Sequence, residues 1–428
     1  MTTADSAFRI EDVPMASDRT DGWRYIRAAG DVVRTADGSW LLTSTEAVQF
    51  AHRHPEIFSS ARAFDSLGSP VPLIPIAIDR PEHTRYRRVL DPMLAPKVVN
   101  AMEDDLRRQA RELIAAFADC GECDIIADLG RLYPTQVFLT LFGMPLEDRD
   151  RFIRWSESII EGVQHNSQAE LPPEVMRNAM ELFGYLQHCV DQKRASPGDD
   201  MLSRVLALDA KEAWSNEEVL GLCFLFILAG LDTVTAVIGF MFLHLAKRPD
   251  IRRRLVHDPS SVEPIVEEVL RLEQPAPMTP RVTTRDVEVC GVTIPAGSPV
   301  LLCLGTVNRD PGRFPQADSL DPDHGDAGHR AFGGGNHRCL GSHLARLELR
   351  IIAEEFHRLI PDYEIAPGIE PQIVWPAGTL HLTSLPLVFA TGGQKCGLAS
   401  TRTAVWAMAG ATRSRRHLSP MTRLATAR

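Results

Sequence analysis

The feature that most constrains this chain is a glycine-rich loop that ends in a cysteine and leads into an amphipathic helix. The loop runs Phe332-Gly-Gly-Gly-Asn-His-Arg-Cys339-Leu-Gly341. Apolar residues recur at spacings of three and four over 341–360, which predicts a helix directly after it. Backbone N–H groups and a helix N-terminus stabilise negative sulfur. The pattern therefore predicts a shielded thiolate able to ligate a metal, with a buried structural cysteine as the alternative.

Each fixed residue of the loop has a physical reason. Gly335 permits a turn that a β-carbon would obstruct, and Gly341 leaves room for a flat cofactor against the helix. Phe332 can pack beside the sulfur. With Cys339, these residues match the pattern F-x-x-G-x-x-x-C-x-G at every fixed position.

On these residues the chain resembles the cytochrome P450 family. The resemblance implies a mainly α, triangular fold with small peripheral β-sheets and a long central helix over a haem. It also implies haem b (iron protoporphyrin IX) as cofactor, with Cys339 as the axial iron ligand. No C-x-x-C-H occurs, which excludes covalent c-type haem.

A long apolar segment, Val219–Leu245, could be mistaken for a membrane span. Asp232 and Thr233 lie at its centre, where an ionisable residue would be costly in a bilayer. Ser215 and Glu218 form a possible capping box before it. A buried core helix is therefore predicted.

The resemblance assigns roles to the centre of this helix. In the family, a small residue and a glycine, here Ala229 and Gly230, leave space for dioxygen beside the haem. The acid–alcohol pair, Asp232 and Thr233, would be catalytic and deliver protons. The alternative is a locally bonded helix kink.

Two carboxylates on a haem edge need basic partners. His83 and Arg87 stand at i and i+4 in a segment similar to the family's propionate-binding helix, and Arg281 and His337 match the later two contacts. Any one of them alone is more often a surface charge; together they form a consistent set.

A further pair resembles the family's support for the cysteine loop. Glu268 and Arg271 stand three apart, so they share one face of a helix. The family usually adds an arginine a few residues before the cysteine loop, but His324 occupies that position here. Whether His324 replaces the arginine is left open.

The whole chain has mostly helical periodicity. Helices are predicted at 100–119, 145–165, 173–194, 215–247, 260–272 and 341–360. Strands are predicted at Asp31–Leu42 and as a hairpin of Val287–Ile294 with Val300–Leu304. Residues 1–390 are interpreted as one catalytic domain. Residues 391–428 carry seven Lys or Arg and no acid, which predicts a basic, disordered tail.

Composition narrows the setting. The net charge of −10 disfavours nucleic-acid partners, and the mixed polar residues 1–19 disfavour a secreted or membrane-anchored protein. Eight scattered cysteines suit a reducing cytoplasm. Cys120-Gly-Glu-Cys123 lacks the context of a redox motif and a second pair for zinc.

The function implied by the resemblance is a cytoplasmic, monomeric monooxygenase. It would activate O2 with two electrons from NAD(P)H, delivered by a separate ferredoxin and ferredoxin reductase or by a flavodoxin-type donor. It would hydroxylate or epoxidise a hydrophobic small molecule, such as a terpenoid, aromatic or steroid-like compound. The alternatives are a peroxide-driven peroxygenase and a non-catalytic haem sensor.

Overall fold

The computed structural model describes residues 8–65, 69–165, 172–323 and 328–391. His324 and residues 392–428 of the predicted tail lie outside these ranges. The described residues form fourteen α-helices. These are α1 (Arg19–Ala28), α2 (Thr45–Arg53), α3 (Glu82–Met93), α4 (Pro96–Asn100), α5 (Glu103–Ala115), α6 (Leu132–Leu141), α7 (Arg149–His165), α8 (Pro173–Ala195), α9 (Met201–Leu206), α10 (Asn216–Lys247), α11 (Pro249–His257), α12 (Val262–Leu272), α13 (Leu304–Val307) and α14 (Ser342–Leu359).

The longest helix, α10, is the centre of the molecule. Its start is fixed by the predicted capping box, in which the Ser215 and Glu218 side chains bond each other's backbone N–H groups. It packs against α6, α12 and α14. By length and composition α10 could cross a membrane, but 67% of its most apolar window is buried. The prediction of a core helix is confirmed.

The strands are short and form sheets at the edge of the helical body. They are β1 (Val32–Arg34), β2 (Trp40–Leu42), β3 (Phe58–Ser59), β4 (Glu122–Asp124), β5 (Met278–Thr283), β6 (Val287–Val289), β7 (Val292–Ile294), β8 (Pro299–Cys303), β9 (Glu364–Ile365), β10 (Ile373–Val374), β11 (His381–Leu382) and β12 (Pro386–Val388). The largest sheet has the order β1-β2-β8-β5-β3, with β2 parallel to β8. It supports β5, which carries Arg281.

The predicted hairpin of Val287–Ile294 with Val300–Leu304 is wrong. The turn lies inside the first segment, where Cys290 (φ 47°) and Gly291 (φ 77°) take left-handed conformations and pair β6 with β7. Strand β8 pairs instead with β5 and β2. The sequence alternation did not reveal this, because β8 lies between β5, on the far side of the β6–β7 hairpin, and β2, which comes from a distant part of the chain.

One large hydrophobic cluster joins buried side chains from Val13 to Leu387. It includes the buried sides of α10, α12 and α14, which contact one another. These three helices carry the central polar residues, the Glu268–Arg271 pair and the residues following Cys339. The packing of the core therefore sets the relative positions of the predicted site residues.

Candidate functional site

The cysteine loop is closed on itself and against α2. The backbone N–H of Cys339 donates to the carbonyl of Phe332 at 2.9 Å. Gly335 has φ +64°, and a β-carbon there would lie 2.6 Å from the carbonyl oxygen of His52. Both the left-handed backbone and the close approach require glycine. The turn expected at Gly335 is therefore present, with α2 as its neighbour.

Cys339 presents an accessible surface although protein groups surround its thiol. Burial raises the pKa of the thiol, while the backbone N–H of Gly341 and the charges of Arg87 and Arg346 oppose that rise. An accessible sulfur in such surroundings faces an internal space rather than bulk water. The Gly341 N–H and the two guanidinium charges favour the thiolate, which is the form of cysteine that binds a metal.

A second support for the loop is an ion-pair cluster that the sequence did not reveal. Glu267 accepts hydrogen bonds from Arg346 at 2.6 and 2.8 Å and from His329 at 2.9 Å. Burial opposes ionisation, but the hydrogen bonds from His329 and Arg346 lower the pKa of Glu267 to about 2. The Arg346 guanidinium lies 4.4 Å from the ring centroid of Phe332. The cluster thus ties α12 and α14 to the first residue of the loop.

Glu268 and Arg271 form the pair that their spacing predicts. Arg271 donates to the Glu268 carboxylate at 2.7 and 2.8 Å, and both side chains are buried. Arg271 also donates to the carbonyls of Asn308, Ala317 and Ser319. The pair therefore anchors the irregular segment that precedes the cysteine loop.

The centre of α10 has an accessible patch within an otherwise buried helix. Ala229 is exposed, and Gly230, Asp232 and Thr233 are half-buried, although they lie at the centre of a buried core helix. A β-carbon on Gly230 would meet no atom within 4 Å. Small residues at an accessible position in the core indicate that this face of α10 borders an internal space.

The acid and the alcohol differ in their bonding. The Thr233 hydroxyl donates to the Ala229 carbonyl at 2.6 Å. Within the described residues, Asp232 makes no hydrogen bond or ion pair. Its carboxylate is therefore uncommitted, as proton transfer requires.

Three of the residues predicted to bind the haem carboxylates lie close together: His83, Arg281 and His337. The rings of His83 and His337 lie 4.3 Å apart between centroids. Burial and the charges of Arg281 and His83 lower the pKa of His337 to about 3. Burial and the charge of Arg87 lower the pKa of His83 to about 4. The two imidazoles are therefore neutral donors beside a guanidinium.

These groups lack anionic partners among the described residues. Buried Arg281 donates only to the carbonyl of Pro280, and burial lowers its pKa to about 10. The buried Nε2 of His83 has no hydrogen-bond partner. A buried guanidinium and an unpaired imidazole nitrogen suit a ligand that brings carboxylates.

Arg87 has two partners within the protein. Its Nε lies 2.7 Å from Asp91, and its Nη1 donates to the carbonyl of Arg338 at 2.8 Å. It therefore holds the residue before Cys339, and its predicted contact with a haem carboxylate stays a prediction.

One member of the basic group was missed. His52, at the end of α2, has its pKa lowered to about 4 by burial and by the charges of Arg281 and Arg330. The sequence offered no signal for it, because His52 is almost three hundred residues from the cysteine loop and belongs to no motif.

An apolar segment lies across the start of α10. Leu73 and Ile74 are buried, and a β-carbon on Gly221 would lie 2.0 Å from the carbonyl oxygen of Pro72. Glycine at 221 thus allows this segment to pack directly on α10, upstream of the accessible patch.

The residues of the site fit the chemical requirements of a haem. The macrocycle needs a thiolate-forming axial ligand, a flat space beside small residues and buried partners for two carboxylates. Cys339, the Ala229–Gly230 patch and the cluster of His83, Arg281 and His337 offer these.

Comparisons with known proteins agree with this site. The family model described as Cytochrome P450 matches residues 37–264 and 260–364. The chain is 34% identical to vitamin D(3) 25-hydroxylase of Pseudonocardia autotrophica, over 80% of this chain and 85% of the relative. It is 36% identical to mycinamicin IV hydroxylase/epoxidase of Micromonospora griseorubida, over 71% and 76%.

A solved structure gives the same result. A mutant of P450 EryK in complex with erythromycin B superposes with a TM-score of 0.79 at 29% identity, covering 89% of this chain and 99% of that one. The fold, the cysteine loop and the relatives agree: the chain belongs to the cytochrome P450 family and is a haem-dependent monooxygenase that uses O2.

Proposed function

We propose that this P450 hydroxylates or epoxidises a hydrophobic small molecule in the cytoplasm, with two electrons supplied by separate redox partners. The observation that carries the proposal is the accessible patch of Ala229, Gly230, Asp232 and Thr233 in the middle of the buried helix α10. A haem protein that only senses or carries electrons has no need for an uncommitted acid and an alcohol at this position.

The polar residues of α10 supply protons. Haem, held by Cys339, would supply the activation of O2. The Thr233 Oγ1 is held by the Ala229 carbonyl and can hold or pass a proton. Asp232, without a partner in the described part of α10, can resupply it from solvent. Peroxide use would not require this path.

The substrate is proposed to be steroid-like, terpenoid or aromatic. Leu73 and Ile74 anchor an apolar segment that packs on α10, and its partly exposed Ile76 and Ile78 can offer an apolar wall. Relatives whose names specify hydroxylation of vitamin D(3) and oxidation of a steroid at C26 support a large hydrophobic compound.

The electron donor is proposed to be an acidic ferredoxin fed by NAD(P)H through its reductase. Arg338, directly before Cys339, is exposed and can meet acidic residues of a partner, as can exposed Arg88 on α3, whose ion pair with Glu212 at 3.5 Å is also exposed. Arg85 is less suited, because it donates to Glu218 and to the Ala213 carbonyl.

The test is reconstituted turnover of purified protein. The reduced carbon monoxide complex is first checked for the long-wavelength Soret band of thiolate-ligated haem. Steroid, terpenoid and aromatic compounds that shift the spin state are then incubated with NAD(P)H, ferredoxin and reductase, or with hydrogen peroxide alone.

We expect oxygenated product with the ferredoxin system. Fast turnover with peroxide alone would favour the peroxygenase, and binding of no organic compound would favour the sensor.

A further inference from the structure

We propose that His52 of α2 is an additional positioning residue for the haem, donating a hydrogen bond from its neutral imidazole to a haem carboxylate. The proposal rests on the haem-binding role described above. It concerns retention of the cofactor, so it can fail while the proposed monooxygenase function stands.

His52 is packed directly against the cysteine loop. Its Nδ1 lies 2.8 Å, and its carbonyl oxygen 2.6 Å, from the places where β-carbons on Gly334 and Gly335 would stand. The two glycines thus let the last turn of α2 approach the loop more closely than other residues would. With Nδ1 on the loop side, Nε2 is the nitrogen left to bond another group.

The charges around the imidazole fit a carboxylate ligand. The positive charge of Arg281 disfavours protonation of both His52 and His337, so the three side chains belong to one basic cluster. No hydrogen bond of the His52 ring is formed with the described residues. A half-buried imidazole that faces cations and has no acceptor of its own is suited to an anionic partner.

Few cationic side chains are free to bind the haem carboxylates, so neutral hydrogen-bond donors can contribute. Arg87 is already paired with Asp91, which leaves Arg281 as the predicted partner without an acid within salt-bridge distance in the described chain. Neutral N–H donors from His83, His337 and His52 can complete the remaining hydrogen bonds without adding repulsion between buried cations.

Two substitutions separate hydrogen bonding from packing. His52→Gln keeps an N–H donor but loses the ring, and His52→Phe keeps a ring but loses the donor. Haem release is measured as transfer from the purified holoenzyme to excess apomyoglobin, and the carbon monoxide band verifies that the thiolate ligand remains. His54→Phe is the matched control, because His54 is half-buried on the same turn, like His52, but pairs with Glu56.

We expect His52→Phe to release haem roughly 10- to 100-fold faster, as loss of a hydrogen bond to a charged group predicts. His52→Gln should stay within about threefold of the unsubstituted enzyme and of His54→Phe. Slow release from His52→Phe, or release from His52→Gln as fast as from His52→Phe, would overturn the proposal and leave His52 a packing residue or one without influence on the haem.

Discussion

Two threonines of α10 show how neighbouring residues of one type come to have different roles. Thr233 donates to the carbonyl four residues earlier and is half-buried at the accessible patch. Thr235 makes the same kind of bond to Leu231 but also donates to the Gly130 carbonyl at 2.5 Å, and it is buried. The second threonine therefore connects α10 to the segment before α6, and only the first is available to a substrate or to oxygen.

Substitution Thr233→Ala should separate substrate binding from oxygen chemistry. The spin-state change on substrate addition should persist, because no apolar contact is removed. Coupled product formation should fall at least about tenfold, a modest share of a general acid–base contribution, with the reducing equivalents appearing as hydrogen peroxide. Product, NAD(P)H consumption and peroxide are measured together.

Thr235→Ala is the matched control for Thr233→Ala. It removes a buried hydroxyl whose single proton is shared between the Leu231 and Gly130 carbonyls, so it should lower stability by about 1–3 kcal/mol while product per NAD(P)H stays unchanged. Coupled hydroxylation that survives unchanged in Thr233→Ala would remove Thr233 from the proposed mechanism.

At the level of elements, α12 supports the cysteine loop through two neighbouring glutamates. Glu268 holds Arg271, and Glu267 holds Arg346 and His329. The spacing of the first pair was visible within one helix, because residues three apart share a face. The second cluster joins α12 to α14 across 79 positions, and no local pattern predicts which arginine a surface glutamate will meet.

Breaking the buried pair should be far more damaging than breaking an exposed one. Arg271→Met leaves the Glu268 carboxylate buried without its cation and frees three carbonyls, so we expect a loss of about 3–5 kcal/mol and a lower haem-loaded fraction. Arg254→Met removes the more exposed contact with Asp323 and should cost much less stability, because solvent screens that pair. Urea unfolding and the haem-to-protein absorbance ratio measure the two effects. Equal losses in the two variants would contradict the supporting role.

For the whole molecule, His357 links three parts of the core. Its Nδ1 lies 2.7 Å from the Ala353 carbonyl, so Nδ1 carries the proton and Nε2 accepts from the Tyr363 hydroxyl at 3.0 Å. The ring stacks on Phe242 of α10, with centroids 5.7 Å apart. Burial disfavours the charged form of the imidazole, and this lowers its pKa from 6.5 to about 4.

The lowered pKa of His357 predicts acid sensitivity. The unfolded chain binds a proton as the pH falls through about 6.5, whereas the folded chain resists until about 4, so this stability is present above pH 6.5 and is lost between these values. The 2.5-unit difference corresponds to about 3 kcal/mol. His357→Gln should be less stable at pH 7 but show a smaller fall in urea-unfolding free energy from pH 7 to 4. An unchanged slope would show that His357 is not responsible.

The features determined by the sequence are those encoded within one stretch of chain. Three features depend on backbone turns and helical periodicity, which act over a few residues. They are the cysteine loop from Phe332 to Gly341, the capping box at Ser215 and the spacing of Glu268 and Arg271. The family resemblance therefore rested on local patterns. The limits of six long helices were also predicted to within a few residues, except at the ends of α5 and at the start of α7.

Only the tertiary structure decided which distant segments meet. Strand β8 pairs with β2 and β5, His52 packs on the cysteine loop, and Glu267 bonds Arg346. Each of these contacts joins elements whose own sequences would tolerate other neighbours. They form because burying the apolar faces of α10, α12, α14 and the sheet together determines one arrangement, and the polar partners follow from it.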